Sequence, residues 1–305
     1  MIETASHAVT PDTQHRGLVA LMPATWRPYA LLARFDRPIG WWLLFWPCVA
    51  GLWAAGGAAR WDMALWLLLG AIVMRGAGCV YNDILDRDLD RQVARTASRP
   101  LASGQVSLKK AWAWLLALCL VGLIVLLQLR WQAQLVALAS LLPVALYPLM
   151  KRITWWPQAW LGLVFSWGAL VGWVEAGGGS PATLAALYAG CIFWVIGYDT
   201  IYAVQDMEDD ALVGVRSSAL ALKGRIVPGV AALYALALLG WGAAIWLIRP
   251  DWLALLALLP VALHLGWQTI TLDPADGMNA LARFRSNRLA GLLMALAFMT
   301  IGSLR

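Results

Sequence analysis

Asn82-Asp83-Ile84-Leu85-Asp86-Arg87-Asp88-Leu89-Asp90 closes a long apolar segment, at the point where a hydrophobic helix should end. If the helix continues through it, Asn82, Asp86 and Asp90 fall at i, i+4 and i+8 on one face. Carboxylates stacked in this way repel one another. A hard divalent cation reverses the sign, because it prefers carboxylate oxygens and often recruits phosphate oxygens as further ligands. The bland alternative is a solvated acidic cap on a helix end. The choice between the two depends on whether the rest of the chain supplies a second acidic set and cations for a phosphate.

The 305-residue chain is 61% hydrophobic and 13% charged, with a mean hydropathy of +0.68. An average soluble domain carries about 25% charged residues, so a water-soluble fold is excluded. Apolar runs of about 20 residues match the length that crosses a bilayer core. Many of the 20 tryptophans sit near the ends of these runs, as in interfacial aromatic belts. An all-α membrane protein follows. Nine spans are expected, at roughly 39–57, 63–85, 111–130, 132–150, 157–175, 181–204, 227–247, 252–270 and 289–304. Charges, prolines and glycine clusters mark the breaks, among them Lys151-Arg152, Gly177-Gly178-Gly179-Ser180-Pro181 and Arg249-Pro250-Asp251.

Residues 1–33 read as an N-terminal tail with a short interfacial stretch, without the apolar core of a signal peptide. Residues 34–305 read as one nine-helix domain. With alternating loops, 18 of the 23 lysines and arginines fall on the side of the N-terminus and four on the other. The positive-inside rule then predicts a cytoplasmic N-terminus and an external C-terminus, in a bacterial inner membrane. The basic pI of about 9.4 is a topology signal, and no nucleic-acid partner is implied. Cys48, Cys79, Cys119 and Cys191 read as small hydrophobes, and the three histidines lack metal-ligand spacing.

A second acidic set does occur. Nine of the 17 acidic residues lie either in the first stretch or in Tyr198-Asp199-Thr200-Ile201-Tyr202-Ala203-Val204-Gln205-Asp206-Met207-Glu208-Asp209-Asp210. A continuous helix would put Asp199, Tyr202, Asp206 and Asp210 on one face. Two facing carboxylate sets would hold Mg²⁺ ions that bridge to a diphosphate. Tyr147 and Lys151, one turn apart, and the adjacent Arg152 are phosphate-type partners, with Arg34 in Arg34-Phe35-Asp36-Arg37-Pro38-Ile39-Gly40 as a further one. Each of these cations has an ordinary reading as a positive-inside anchor. Arg75 lies two turns deeper than Asn82, where an arginine facing lipid is costly. It should pair with an anion: a substrate carboxylate or, structurally, Asp62, Glu175 or Asp199.

Together these residues resemble the UbiA superfamily of intramembrane prenyltransferases. Asn82, Asp83, Asp86 and Asp90 match its N-D-x-x-D-x-x-x-D pattern. Tyr198, Asp199, Tyr202, Ala203, Asp206, Asp209 and Asp210 match its Y-D-x-x-Y-A-x-x-D-x-x-D-D pattern. The stretches Arg34 to Gly40, Met74-Arg75-Gly76-Ala77-Gly78-Cys79, Tyr147 to Arg152 and Gly214-Val215-Arg216-Ser217-Ser218-Ala219-Leu220 resemble the 4-hydroxybenzoate polyprenyltransferase branch. The usual lysine of the first of these is here Arg37, which keeps the charge.

The resemblance implies a nine-helix bundle with a central cavity, open sideways to lipid and capped on the cytoplasmic side. It implies Mg²⁺ held by Asn82, Asp86, Asp206 and Asp210, with Asp90 assisting. Arg34, Lys151 and Arg152 would hold the polyprenyl diphosphate, with Tyr147 beside them, and Arg75 the carboxylate of 4-hydroxybenzoate. The implied reaction is ortho-prenylation in ubiquinone biosynthesis, with Asp206 or Asp199 drawing off the phenolic proton. Two alternatives stand beside it: another aromatic acceptor, or a cation-coupled transporter that uses the carboxylates as ion sites. Transporter sites usually lie near the bilayer midplane, whereas both acidic sets here sit at span ends.

Overall fold

A computed structural model of the chain describes residues 18–92, 96–207 and 216–303. The described residues are helical, in the order α1 (Leu18–Leu21), α2 (Arg27–Leu32), α3 (Ile39–Ala54), α4 (Trp61–Leu85), α5 (Arg87–Asp90), α6 (Leu108–Leu126), α7 (Trp131–Ala139) and α8 (Leu141–Ile153). Then follow α9 (Pro157–Glu175), α10 (Pro181–Ala203), α11 (Ser218–Leu222), α12 (Ile226–Ile248), α13 (Leu259–Ile270) and α14 (Gly277–Ser303). Short 3₁₀ segments cover Val204–Asp206, Lys223–Arg225 and Trp252–Leu258.

Among the described residues, six helical stretches are long and apolar enough to cross a membrane: Trp61–Leu85, Leu108–Leu126, Trp131–Met150, Pro181–Ala203, Ser218–Ile248 and Trp252–Ile270. The helix Ile39–Ala54 is apolar but shorter. α14 carries Arg283, Arg285 and Arg288 within its first half, which lowers its apolar character.

The chain forms two compact units, one of Met1–Trp41 with Leu68–Leu126, the other of Trp42–Leu67 with Leu127–Arg305. The core of the first unit joins Leu32 and Ala33 to Val73, Ala77 and Val80 of α4, to Leu101 and Val106, and to Ala111 and Leu118 of α6. Trp114 pins α6 to the N-terminal segment, its indole N–H donating to the Tyr29 carbonyl at 3.1 Å.

In the second unit α10 packs against α9, α12 and α14. Its fully buried Trp194 and Tyr198 meet Trp241 of α12 and Phe284 of α14 edge-on. Lipid offers no hydrophobic gain for helix association, so close packing and interhelical hydrogen bonds supply it. Gly168 and Gly172 of α9 form a small-xxx-small face. A Cβ on Gly172 would run into the Cys48 carbonyl of α3, and one on Gly51 of α3 into the Ala169 carbonyl of α9.

Candidate active site

The first acidic stretch lies where α4 ends at Leu85 and α5 begins at Arg87. The junction keeps helical hydrogen bonding, from Asp86 N to Asn82 O at 2.9 Å and from Asp90 N to Asp86 O at 2.8 Å. Four of the five acid or amide side chains nevertheless separate into two pairs, while Asp88 is exposed beside Arg87 at 3.2 Å. Asn82 and Asp86 are partly exposed, and the Asn82 amide donates to Asp86 Oδ2 at 3.0 Å. Asp83 and Asp90 are buried and held by arginines. Arg34 Nη2 lies 2.9 and 3.0 Å from the two oxygens of Asp83. Arg99 Nη1 bridges Asp90 at 2.7 Å and Asp83 at 3.3 Å. A buried carboxylate is stable only when paired in this manner.

Arg34 reaches Asp83 from an unusual backbone position. α2 stops in a Schellman turn, with Phe35 N bonded to Ala30 O at 2.9 Å and Arg34 N to Leu31 O at 3.0 Å. The residue beyond the cap, normally glycine, is Arg34 at φ 57°. A left-handed non-glycine residue costs roughly 1–2 kcal/mol and tends to persist at functional sites. Burial works against the Arg34 charge, but Asp83, Cys79 and Asp36 more than offset it and raise its pKa above the ordinary arginine value.

Arg75 lies on α4, two turns before Asn82, and is partly buried. Its Nη1 donates to the Cys79 sulfur, one turn further along the same helix. Of the three carboxylates expected as structural partners of Arg75, Asp199 lies on α10 and Asp62 is engaged by Arg60 at 3.2 Å. Glu175 accepts from the Arg130 backbone at 2.7 Å and has Arg60 at 3.7 Å.

The second stretch departs from a continuous helical face. α10 ends at Ala203 and tightens into the 3₁₀ segment Val204–Asp206. Asp199 and Tyr202 therefore sit on α10, and Asp206 in the turn that follows it. Glu208, Asp209 and Asp210 lie outside the described residues. Tyr202 packs on Phe284 with ring centroids 4.6 Å apart, which anchors this end of α10 to α14. Tyr147, Lys151 and Arg152 occupy the last two turns of α8, whose end at Ile153 follows Pro148; the side chains of Lys151 and Arg152 lie outside the description.

Among the described residues no three Asp, Glu, His or Cys side chains meet as a metal cage. Asp83, Asp88 and Asp90 of the first set are paired with arginines, and part of the second set lies outside the described residues. The Asn82–Asp86 pair nonetheless offers hard oxygen donors one turn apart, which fits a hard cation such as Mg²⁺. Arg99 had no distinguishing mark in the sequence beyond its charge. Only the fold shows it as the bridge between two acids of the first set.

The UbiA prenyltransferase family matches residues 44–299. The chain belongs to this family. The 4-hydroxybenzoate polyprenyltransferase of Drosophila melanogaster is 41% identical over 300 residues, covering 97% of this chain and 76% of the relative. That of Rattus norvegicus is 43% identical over 289 residues, covering 91% and 75%. Among solved structures, the apo UbiA homolog from Aeropyrum pernix K1 superimposes with a TM-score of 0.69 at 26% identity, over 85% of this chain and 97% of that one. A UbiA homolog from Archaeoglobus fulgidus bound to GPP and Mg²⁺ shares the fold, with a TM-score of 0.65 at 18% identity over 90% and 99%.

These relatives correct the expected placement in a bacterial inner membrane. The two enzymes matched here are mitochondrial proteins of eukaryotes. Charge asymmetry across loops distinguishes two sides of a bilayer, and it carries no information about which membrane that is. What stands for this UbiA-family chain is that it contains membrane-spanning helices.

Proposed function

We propose that this chain is a 4-hydroxybenzoate polyprenyltransferase. It moves a polyprenyl group from its diphosphate to the ring carbon ortho to the hydroxyl of 4-hydroxybenzoate and releases diphosphate. The observation that carries the reading is identity of 41% and 43%, over more than nine-tenths of the chain, to two proteins that bear this activity in their names. The finer architecture we assign is a nine-helix bundle spanning residues 34–305, with a central cavity, a lateral opening and a cap.

Asn82, Asp86, Asp206 and Asp210, with Asp90, are the assigned Mg²⁺ ligands. The bound cation would supply Lewis-acid neutralisation of the diphosphate leaving group. Arg34, Tyr147, Lys151 and Arg152 bind the same diphosphate. Arg34 would do so from beside Asp83, and Asp90 would assist the cation from beside Arg99. Arg75 binds the acceptor carboxylate through a charge-assisted contact and so orients the ring. Departure of diphosphate leaves an allylic cation that water would quench, and the apolar bundle excludes that water. Asp199 or Asp206 takes the phenolic proton, which raises electron density at the ortho carbon. Loss of the ring proton there restores aromaticity.

Membranes containing the chain should convert 4-hydroxybenzoate and a polyprenyl diphosphate to a product heavier by the prenyl group, read by mass spectrometry. The activity should vanish on chelation, return with Mg²⁺, and be lost in Asp86→Ala and Asp206→Ala. Full activity in those two variants would overturn the assignment.

A further inference from the structure

In the first unit, the segment Ala33 to Gly40 lies close along α4 at two glycines. A Cβ on Gly76 would fall 3.1 Å from Phe35 Cε1 and 3.2 Å from Ala33 Cβ. One on Gly40, in the first turn of α3, would fall 2.9 Å from Arg75 Nε and 3.6 Å from Arg75 Cγ and Cζ. Gly40 therefore borders the stem of Arg75, where any side chain would intrude. The tip of Arg75 is held by Cys79, whose buried sulfur accepts from Nη1. One neighbour limits where the stem can run, and the other is one of the groups that the guanidinium meets.

The nature of the two contacts matters. The atoms that a Cβ at Gly40 would strike belong to a flexible side chain and to no backbone. Alanine at position 40 is thus cheap for the fold, but it requires a different course for the Arg75 side chain. Valine at position 79 keeps the approximate size of the thiol and removes the acceptor. Neither change alters a charge or a residue assigned to the diphosphate.

We propose that Gly40 and Cys79 are positioning residues that place the Arg75 guanidinium, and so set the preference for an acceptor bearing a carboxylate. The proposal rests on the assignment of Arg75 to the acceptor carboxylate. A guanidinium–carboxylate contact is directional, and a misplaced fork loses the paired geometry while keeping its charge. Gly40 and Cys79 act through Arg75 and need not touch the substrate.

The test uses membranes with the full-length chain and two acceptors, 4-hydroxybenzoate and its neutral methyl ester, with KM measured for each acceptor and for the polyprenyl diphosphate. Gly40→Ala and Cys79→Val should each raise KM for 4-hydroxybenzoate about tenfold, the loss of one charge-assisted contact. KM for the diphosphate should stay within about twofold, so that the preference for acid over ester shrinks. Cys79→Ser, which restores an acceptor atom, should recover most of the preference lost in Cys79→Val. If Arg75→Ala removes the preference while Gly40→Ala and Cys79→Val keep it, the positioning role is overturned and the acceptor reading stands. If Arg75→Ala itself keeps the preference, the acceptor reading fails, and the proposal fails with it. An equal rise in KM for acceptor and diphosphate in Gly40→Ala and Cys79→Val would mean general damage and would also overturn the proposal.

Discussion

Arg34 grips both oxygens of Asp83, 49 residues away in sequence, through a single Nη2 at 2.9 and 3.0 Å. The pair is deeply placed, with side-chain exposures of 14% and 2%. The neighbouring Arg99 shares Asp83 with Asp90, so four charges form one chain. Beside the second stretch of acids, Tyr198 and Tyr202 pack on Phe284.

Removing one partner of a buried ion pair strands the other and typically costs about 3–5 kcal/mol. Asp83→Ala should therefore lower the thermal midpoint of the detergent-solubilised protein strongly. Arg34→Ala loses the same pair and leaves alanine at φ 57°, whereas Arg34→Gly loses the pair but relieves the backbone. Arg34→Gly should be the more stable of the two by roughly 1 kcal/mol. Equal midpoints would show that the left-handed conformation is not retained.

Asp36 is buried, and one of its oxygens is bound by Arg37 Nε at 3.3 Å. Burial raises its carboxyl pKa above the ordinary aspartate value, opposed by Arg37 and Arg34. A raised folded pKa contributes stability that is full below the unfolded pKa of about 3.9 and is lost as pH rises through the folded value. The stability of Asp36→Asn relative to the native chain should thus increase from pH 3 to pH 7, followed by denaturation in detergent. A decrease over that range would reverse the sign of the shift.

Asn287 of α14 accepts from the Trp194 indole at 2.8 Å and donates to Gln268 at 3.1 Å, which also accepts from Tyr234 at 2.8 Å. Four helices, α10, α12, α13 and α14, meet in this buried polar cluster. Asn287→Leu leaves the indole N–H without its acceptor and should cost about 1–3 kcal/mol. Tyr234→Phe, which removes a hydroxyl, should cost less. The order of the two unfolding midpoints is the check.

Two glycine substitutions should behave oppositely. Gly172→Ala drives a methyl group into the backbone of α3 near Cys48, and should abolish the folded monomer in size-exclusion chromatography. Gly266→Ala meets nothing within 4 Å on α13. It should stabilise the helix by up to about 1 kcal/mol through propensity alone.

Much of the helix pattern was legible from local signals. Pro157 and Gly177 bracket a segment expected at 157–175 and found at Pro157–Glu175, and Pro181 opens one expected at 181–204 and found at Pro181–Ala203. These breaks are backbone effects of single residues, so a sequence displays them directly. The span expected at 132–150 matches the apolar stretch Trp131–Met150, with a break at Ser140 between α7 and α8. The face expected from Asp199 to Asp210 assumed an unbroken helix, and the 3₁₀ turn after Ala203 ends that regularity.

The sequence by itself determined that this is a helical membrane protein, which motifs it carries, and which residue types are available for metal, phosphate and carboxylate. Those follow from hydropathy, spacing and side-chain chemistry, all local properties. Only the tertiary structure decided how the acids of the first motif are shared out. Asn82 and Asp86 remain at a partly open helix end, while Asp83 and Asp90 are drawn inward by Arg34 and Arg99. The helical spacing of the motif treats Asn82, Asp86 and Asp90 alike. Burial does not, because a carboxylate withdrawn from water must find a cation: Asp83 finds Arg34, 49 residues away, and Asp90 finds Arg99, nine residues on.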